Sequence, residues 1–285
     1  MTTAGIVSPG AMGSAVGGAL RRGGARVVVT VAGRSERTGR LARDAGLELV
    51  PSIADVVAAA DVVLSIVPPD QAEAVAAELS EARLLADLNA VSPATARRIS
   101  AEVDGSISGP PPQQAGTTRI YLSGPRAPEV AALPFDGVDV IVVGDEAGAA
   151  SAVKMSTASV YKGSIALLGQ ALRAADHYGV LDQVLSDLGG LADGAGRRIA
   201  RSAAKADRYV GEMREISASQ SAAGLDPSLF DAMAEVWAGI ARTPLGRVAP
   251  EKAGSDLQEV LRQLRLVEGE LPEGLEIRDA DADQP

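Results

Sequence analysis

A glycine-containing turn near the amino terminus carries the first residues that could bind a ligand. The sequence passes from an apolar stretch, Gly5–Val7, through the turn and into a helical pattern. A helix N-terminus has unpaired N–H groups and a partial positive charge, so it attracts a pyrophosphate. Strand, glycine turn and helix are the parts of a dinucleotide-binding unit. The candidate cofactor-binding residues of the turn are Ser8, Pro9, Gly10, Ala11, Met12 and Gly13.

Two glycines of this turn have separate expected roles. Gly10 would let the backbone approach the phosphates, and Gly13 would let the helix pack tightly on the strand. The usual pattern is G-x-G-x-x-G, and Ser8 stands where the first glycine is expected. The turn by itself fits a dinucleotide site and an ordinary glycine-containing turn equally well.

The end of the second predicted strand, Arg26–Ala32, carries the residues that would distinguish NADP from NAD. An acidic residue at this place binds the 2′-OH of NAD and repels a 2′-phosphate. Here the strand is followed by Arg34, Ser35 and Arg37, and arginine offers a planar, permanently charged group suited to phosphate. The sequence therefore favours NADP. The alternative is an ordinary solvated basic loop, and Glu36 weakens the case for phosphate.

Alternating strands and helices would bring these segments to one edge of a sheet. Their spacing predicts a doubly wound parallel sheet, whose ligand crevice lies at the carboxyl ends of the strands. Val67, Pro68 and Asn89 also fall at such strand ends and are candidate cofactor contacts. The further strands predicted in this part of the chain are Leu47–Val50, Asp61–Val67 and Leu84–Leu88.

The pattern changes after residue 104. Three more strands, joined by loops, are expected to extend the same sheet, and after Glu146 only helical patterns remain. The predicted helices are Ala147–Tyr178, Leu181–Leu188, Arg197–Ala223, Pro227–Thr243 and Glu251–Leu266. The predicted fold class is α/β, an N-terminal Rossmann doubly wound sheet followed by an all-α domain. The predicted domains are 1–145 for NADP binding, 146–266 for substrate binding and dimerisation, and an acidic tail at 267–285. The three added strands are Ser106–Pro110, Arg119–Ser123 and Val138–Val143.

Composition excludes several classes of function. The 285 residues are 46% hydrophobic and 22% charged, with a net charge of −10, which is typical of a globular protein and argues against nucleic-acid binding. There is no cysteine, and His177 is the only histidine, so we expect no metal site and no disulfide. Neither a signal peptide nor a membrane-spanning stretch is recognisable. The expected location is the cytoplasm.

Five short motifs occur in a fixed order along the chain. They are Ser8–Gly13, Val67-Pro68, Asp87–Pro93, Ser108–Pro110, and Gly148 with Lys154. In that order they resemble motifs of the 6-phosphogluconate and 3-hydroxyisobutyrate dehydrogenase superfamily (the β-hydroxyacid dehydrogenases), which includes the imine reductases. The resemblance covers essentially the whole chain. Arg208–Ile216 further resembles a subgroup of uncharacterised members with a distinctive C-terminal helical domain.

The resemblance implies the site residues and the reaction. Lys154 and Ser108 would be catalytic, with Ser108, Gly109 and Pro110 forming the substrate loop. Lys154 would move the proton of a hydroxyl group while hydride passes to or from the nicotinamide, and burial would have to lower its pKa. Tyr161 lies seven residues after Lys154, on nearly the same helix face. It would either contact the substrate hydroxyl or be a packed core tyrosine.

Three positions depart from the family pattern. Pro110 replaces the second glycine of the substrate loop and has no N–H to donate. Ala158 stands for the family's asparagine and Ala90 for its loop threonine. These changes remove polar contacts, so a bulkier or less carboxylate-like substrate is expected.

The implied function is an NADP-dependent dehydrogenase or reductase acting on a small organic molecule as a homodimer. The first alternative is an NADPH-dependent imine or ketone reductase, although many imine reductases lack the lysine. The second is a non-catalytic NADP-binding sensor.

Overall fold

The computed structural model describes residues 1–248 and 254–265. The chain divides into two compact units, of which the first holds Met1–Ser156 and the second begins at Thr157. No helix within the described residues combines the length and apolarity needed to cross a bilayer.

The first unit contains one eight-stranded sheet. Its order is β3-β2-β1-β4-β5-β6-β7-β8, and all neighbours are parallel except β6 and β7. The order reverses between β1 and β4, which is the switch point where such sheets form a ligand crevice. The strands are β1 Thr3–Val7, β2 Arg26–Val29, β3 Glu48–Leu49, β4 Val62–Ser65, β5 Leu85–Asp87, β6 Val103–Ser108, β7 Thr118–Ser123 and β8 Val138–Gly144.

Six helices and the start of a seventh belong to this unit. Ser52 and Ser92 cap α3 and α5, because each hydroxyl accepts from the N–H three residues on. The helices are α1 Ala11–Arg22, α2 Glu36–Asp44, α3 Ile53–Ala59, α4 Ala72–Glu78, α5 Pro93–Arg98, α6 Ala127–Ala131 and α7 Ala149–His177, and a 3₁₀ turn at Pro69–Gln71 precedes α4.

Both faces of the sheet are buried at β1, β2, β4 and β5, which explains the nearly continuous apolar sequence of these strands. Adjacent residues of β1 point to opposite layers, so Ile6 joins a core with Val16 and Leu20 of α1. Val7 joins a second core with Leu79 and residues of α4 and α5. The predicted doubly wound sheet, extended by three strands, is confirmed.

The second unit is helical. Its core includes Trp237, Met213 and Ile216, with Phe230 and Leu261. The helices after α7 are α8 Leu181–Leu188, α9 Ala195–Ala203, α10 Ala206–Ala222, α11 Ser228–Ala241, α12 Pro244–Arg247 and α13 Leu257–Arg265, with a 3₁₀ turn at Gly189–Ala192.

Two sequence predictions about elements were wrong. A single helix was expected over Arg197–Ala223, but α9 and α10 are separated at Ala204 and Lys205, both good helix formers that carry no stop signal. The link between β7 and β8 contains α6, whose five residues are too few to show a helical period. Of the helix predicted over Glu251–Leu266, the part Leu257–Arg265 is present, and the predicted tail at 267–285 lies outside the described residues.

Candidate active site

The turn between β1 and α1 has the geometry of a glycine turn. Ser8 has φ +64°, in the region that favours glycine, and is the only such non-glycine position among the described residues. A Cβ at Gly13 would lie 2.5 Å from the Ser8 carbonyl oxygen and 3.4 Å from Ile6. Only glycine therefore allows α1 to begin this close to β1.

The first turn of α1 faces outward without a side-chain cap. Gly10 is the N-cap, no side chain caps the helix, and a Cβ at Gly10 would meet nothing within 4 Å. Two hydrogen bonds fix the backbone of the turn. The Gly10 N–H donates to the Ser8 carbonyl at 2.8 Å, and the Ser14 hydroxyl donates to the Pro9 carbonyl at 2.5 Å. Such a helix end is suited to an anion.

A cavity of about 670 Å³ lies beside this turn. It brings together Ser8 from the end of β1 and Arg34 from the loop after β2, two residues predicted to bind the cofactor. Its volume is in the range of cofactor and ligand pockets. The other lining residues are Val7, Thr30, Ala32, Gly33, Ser52, Ile53, Ala54, Gln71, Val75 and Glu78.

The three basic-loop candidates differ in their surroundings. Arg34 is half-buried at the cavity, whereas the Ser35 hydroxyl caps α2 by accepting from the Thr38 N–H at 3.3 Å. Arg37 is an exposed residue of α2 that does not line the cavity. Glu36 is exposed and lies 3.6 Å from Arg40, so its charge is partly balanced on the surface.

The residues after β4 and β5 form a buried polar network. The Asn89 amide oxygen accepts from the Val67 N–H at 2.7 Å, and its nitrogen donates to Ser65 at 3.1 Å and to Asp87 at 2.5 Å. Asn89 is 2% exposed. Its side chain therefore fixes the backbone before Pro68, and any contact of residue 89 with a cofactor would come through its main chain.

Asp87 is a buried carboxylate with an unusual environment. Burial, together with the nearby Asp104, raises the pKa of Asp87 to about 7, against hydrogen bonds from Ser65 and Asn89 that lower it. One of its oxygens, Oδ2, has no hydrogen-bond partner among the described residues. The carboxyl group of Asp87 therefore changes its protonation near neutral pH.

The substrate-loop candidates follow β6 at the same edge of the sheet. Ser108 ends the strand, and Gly109 has φ +105°, where a Cβ would lie 2.2 Å from the Thr117 carbonyl oxygen. The Pro110 carbonyl accepts from the Thr118 hydroxyl at 2.6 Å. Gly109 is thus required for the tight start of this loop, and Pro110 contributes a carbonyl to its closure.

Lys154 lies next to this loop. Its ammonium group donates to the carbonyl oxygen of Ile107 at 2.7 Å, so the Lys154 amine is at the peptide that leads into Ser108. The start of α7 is brought there by Gly148, which has φ +99° and approaches Pro93 closely. The structure therefore brings Lys154 and Ser108 together.

In the second unit, the long helix α7 carries two further polar residues. The side chain of Tyr161 is 73% exposed, so the tyrosine is not packed in the core of this chain. Lys162 forms an ion pair with Glu212 and lies 4.5 Å from the ring centre of Tyr209. Lys162 is thus a salt-bridge partner.

Family models match two parts of the chain. Residues 3–95 match the family described as NADP oxidoreductase coenzyme F420-dependent, and residues 175–240 match a domain of unknown function, DUF1932. A conserved protein of unknown function, described as structurally similar to 3-hydroxyacid dehydrogenases, is 30% identical over 84% of this chain and 96% of its own, with a TM-score of 0.64. The chain belongs to the β-hydroxyacid dehydrogenase superfamily.

Other proteins share the fold or part of the sequence. An uncharacterised 28.5 kDa protein of Methanothermus fervidus is 30% identical over 170 residues, and the match spans 57% of this chain but only 66% of that protein. The 3-hydroxyisobutyrate dehydrogenase of Mycobacterium tuberculosis is 19% identical, with 93% and 100% coverage and a TM-score of 0.61. The imine reductase of Streptomyces aurantiacus is 20% identical, with 92% and 99% coverage and a TM-score of 0.52.

Within this superfamily framework, sequence reasoning missed several polar residues at the site. Thr30 lies inside the predicted strand Arg26–Ala32, but β2 ends at Val29, so Thr30 follows the strand end and lines the cavity. Gln71 had no signal, because it reaches the cavity from a 3₁₀ turn. Asp104 lies inside β6, where its partners come from residues 19 to 47 positions away. Among the described residues, no three His, Asp or Glu side chains are grouped to hold a metal ion.

Proposed function

We propose that the protein is an NADP(H)-dependent oxidoreductase that interconverts a hydroxyl and a carbonyl carbon of a small organic substrate. The superfamily membership and fold support an NAD(P)-dependent oxidoreductase. The position of Lys154, bonded to Ile107 beside Ser108, carries the proposal of alcohol and carbonyl chemistry.

Three features of the first unit support a dinucleotide cofactor. The uncapped N-terminus of α1 would face the pyrophosphate. Ser8 and Arg34 line the same cavity at the carboxyl edge of the sheet. Arg34 has no ion-pair partner among the described residues, so its guanidinium is available to a 2′-phosphate.

The nicotinamide would supply or accept the hydride, and this chain would supply the proton. In the reducing direction Lys154 would give a proton from Nζ to the carbonyl oxygen as that oxygen becomes a hydroxyl. The neutral amine keeps two N–H bonds, so it can still donate to the Ile107 carbonyl. Ser108 would hydrogen-bond the same oxygen and orient the substrate.

The substrate loop supports a substrate without a small carboxylate head. Gly109 and Pro110 would contact the substrate, and Pro110 presents a ring and no N–H. Ala90 and Ala158 likewise replace polar side chains by methyl groups. Hydroxy compounds with an apolar substituent are the class we propose.

A substrate panel followed by NADPH absorbance tests the function. The panel contains hydroxy acids, ketones, aldehydes and cyclic imines, each with NADPH and NADH. Turnover on carbonyl compounds supports the proposal. Turnover on imines alone would reassign the enzyme as an imine reductase, and tight NADPH binding without any turnover would make it a sensor.

Cofactor choice is tested by titration of the free enzyme. Replacing Arg34 by Ala should weaken NADPH binding by about 1–3 kcal/mol, the scale of a hydrogen bond to a charged group, and leave NADH nearly unchanged. Arg40→Ala is the matched control, because Arg40 is an exposed arginine of α2 that faces Glu36. Equal affinity of the unmodified enzyme for NADH and NADPH would contradict the NADP proposal.

A second copy of this chain is the proposed partner of α7. Exposed residues follow one another at intervals of four and three along the helix, the period at which two helices pair. Val160 and Leu167 are 68% and 66% exposed, and monomers rarely expose such rows. A twofold axis would pair the row with itself. The row consists of Val160, Ser164, Leu167, Ala171, Ala174 and Tyr178.

Sedimentation at micromolar concentration tests this assembly. The unmodified protein should be a dimer, and Leu167→Glu should be a monomer because like charges would face each other across the axis. Leu229→Glu is the control, since Leu229 is also exposed but lies on α11 outside the row. A monomeric unmodified protein would refute the assignment.

A further inference from the structure

Asp104 is the most highly bonded carboxylate at the candidate site, and three of its four hydrogen bonds come from the start of α7. Oδ2 accepts from the Ser123 hydroxyl at 2.9 Å, from the Gly148 N–H at 2.9 Å and from the Ser151 N–H at 3.1 Å. Oδ1 accepts from the Ser151 hydroxyl at 2.6 Å. The Asp104 side chain is 4% exposed. A carboxylate from a strand thus does for α7 what an N-cap side chain does for other helices.

Two serines complete the attachment of this helix end to the sheet. The Ser123 hydroxyl accepts from the Ala150 N–H at 3.0 Å, and the Ser106 hydroxyl donates to the Ala150 carbonyl at 2.9 Å. Both serines are fully buried. The first turn of α7 is therefore fixed to β6 and β7 at several points.

The same strand holds the far end of Lys154. Its amine donates to the carbonyl of Ile107 on β6, three residues after Asp104. The backbone of Lys154 is therefore fixed through Asp104, and the tip of its side chain is fixed through Ile107. If the bonds from Asp104 to α7 were lost, the helix start could shift, and the Lys154 amine could then move away from the Ile107 carbonyl.

We propose that Asp104 is a positioning residue that sets the location of the Lys154 amine by capping α7. This inference rests on the proposed function of Lys154, but the position of the amine can be measured without turnover. The inference is based on the four hydrogen bonds to the Asp104 carboxylate, because all of them are lost when the side chain is removed.

The test compares Asp104→Ala with Asp104→Asn. In Asp104→Asn the amide oxygen can replace Oδ2 and accept from Gly148 and Ser151, and the amide nitrogen can donate to the Ser151 hydroxyl. In Asp104→Ala all four bonds are lost. We expect kcat on the best substrate to fall between about tenfold and 100-fold in Ala, the effect of a small misplacement, and only a few-fold in Asn. The Kd for NADPH should not change in either variant.

Lysine NMR gives a readout independent of activity. The sequence has four lysines, at positions 154, 162, 205 and 252, so protein labelled with ¹³C at lysine Cε should give four resolvable signals. Lys154→Arg identifies the signal of residue 154. In Asp104→Ala its protonation midpoint should fall, because the bond from the charged amine to the Ile107 carbonyl is lost. In Asp104→Asn the signal should stay closer to its original position, and Lys162 should not move in either variant.

Two further variants separate an effect on the position of Lys154 from a general loss of folding. Ser123→Ala removes one donor to Asp104 and the acceptor of the Ala150 N–H, so its effects should fall between those of Asn and Ala. Glu102→Gln is the control, because the Glu102 carboxylate accepts from the Leu85 N–H at 2.9 Å but does not bond α7.

The outcomes separate this inference from the proposed function. An unmoved Lys154 signal in folded Asp104→Ala and Ser123→Ala would overturn the positioning role. Equal losses in Asn and Ala would overturn it as well, because the charge rather than the bonds would then matter. Absence of turnover in the unmodified protein would refute the proposed function, while a shifted Lys154 signal would still support the positioning.

Discussion

Two lysines of α7 are held by different kinds of partner. The Lys154 amine donates to the backbone carbonyl of Ile107 at 2.7 Å, on the strand that leads into the substrate loop. Lys162 forms an ion pair with Glu212, whose side chain is 5% exposed, and Arg208 lies 3.2 Å from the other oxygen of that carboxylate. One lysine is bonded to a neutral group and the other to a buried charge.

The difference separates the lysine for which we propose proton exchange from one whose deprotonation would leave a buried carboxylate with fewer cations. A neutral Lys154 amine would keep a donor for the Ile107 carbonyl. A neutral Lys162 would leave the buried Glu212 with Arg208 as its one cation among the described residues, which costs several kcal/mol. The proton chemistry that we propose for Lys154 is therefore not transferable to Lys162, although both are on the same helix.

The largest expected effect is on turnover at Lys154. Lys154→Ala should lower kcat by about 10²–10⁴-fold, the usual contribution of general acid–base catalysis, with NADPH affinity unchanged. The pH profile of kcat should lose one limb. Steady-state kinetics across a range of pH values measures both effects.

Two related variants give this comparison its controls. Lys154→Arg should also be inactive, because a guanidinium does not give up its proton near neutral pH. Lys162→Arg should keep kcat, since it preserves the cation beside Glu212. Retention of more than about half of the activity in Lys154→Ala would assign the proton transfer to another group, and Tyr161 would be the next residue to replace.

The second effect is on stability at Lys162. Lys162→Met should lower the free energy of unfolding by about 3 kcal/mol, the lower end of the cost of breaking a buried ion pair, because Arg208 still faces Glu212. Denaturant unfolding measures the change. Lys162→Met combined with Glu212→Gln should recover part of the loss, and a double variant no more stable than Lys162→Met would rule out the unpaired carboxylate as its cause.

The third effect depends on pH and concerns Asp87, a buried carboxylate that forms no ion pair among the described residues. Burial raises the pKa of Asp87 to about 7 from 3.8. The stability that protonated Asp87 contributes is therefore complete below about pH 4 and is lost as the pH rises through 7, with a slope of up to about 1.4 kcal/mol per pH unit.

Asp87→Asn isolates this dependence. The amide stays neutral, so the variant should gain stability relative to the unmodified protein as the pH rises from 4 to 8. Thermal unfolding at several pH values measures it. Asp139→Asn, at an exposed carboxylate of β8, controls for the loss of one charge. Parallel curves for the Asp87 variant and the unmodified protein would show that Asp87 is already ionised at low pH.

The sequence was sufficient for the sheet and for most helices of the first unit. Each apolar strand is bounded by a turn, and Ser52 and Ser92 mark helix starts by the capping preference of their own side chains. Such signals are local, so they can be recognised without the fold. The doubly wound arrangement then followed from the general rules for alternating strands and helices, whereas the order of the strands and the antiparallel pairing of β6 with β7 became known only with the fold.

The parts that could not be predicted depend on distant partners. Nothing around Asp104 indicates that it caps a helix whose first residues follow 44 to 47 positions later. The buried state of Asn89 depends on Ser65 and Val67 of the neighbouring strand end. Resemblance identified Lys154, but the carbonyl that receives its hydrogen bond became known only with the fold.

The reversal of direction between β6 and β7 has a consequence for how this protein can change over time. Residues 109–117 leave and re-enter the sheet at neighbouring points, held by Gly109 at one end and by the Thr118 hydroxyl at the other. Mutations within this loop can accumulate without disturbing the strands that hold Ser8, Arg34 and Lys154. Selection can therefore act on the loop as a separate module, so the substrate range that we propose for the loop can evolve while the proposed cofactor use and proton transfer are inherited unchanged.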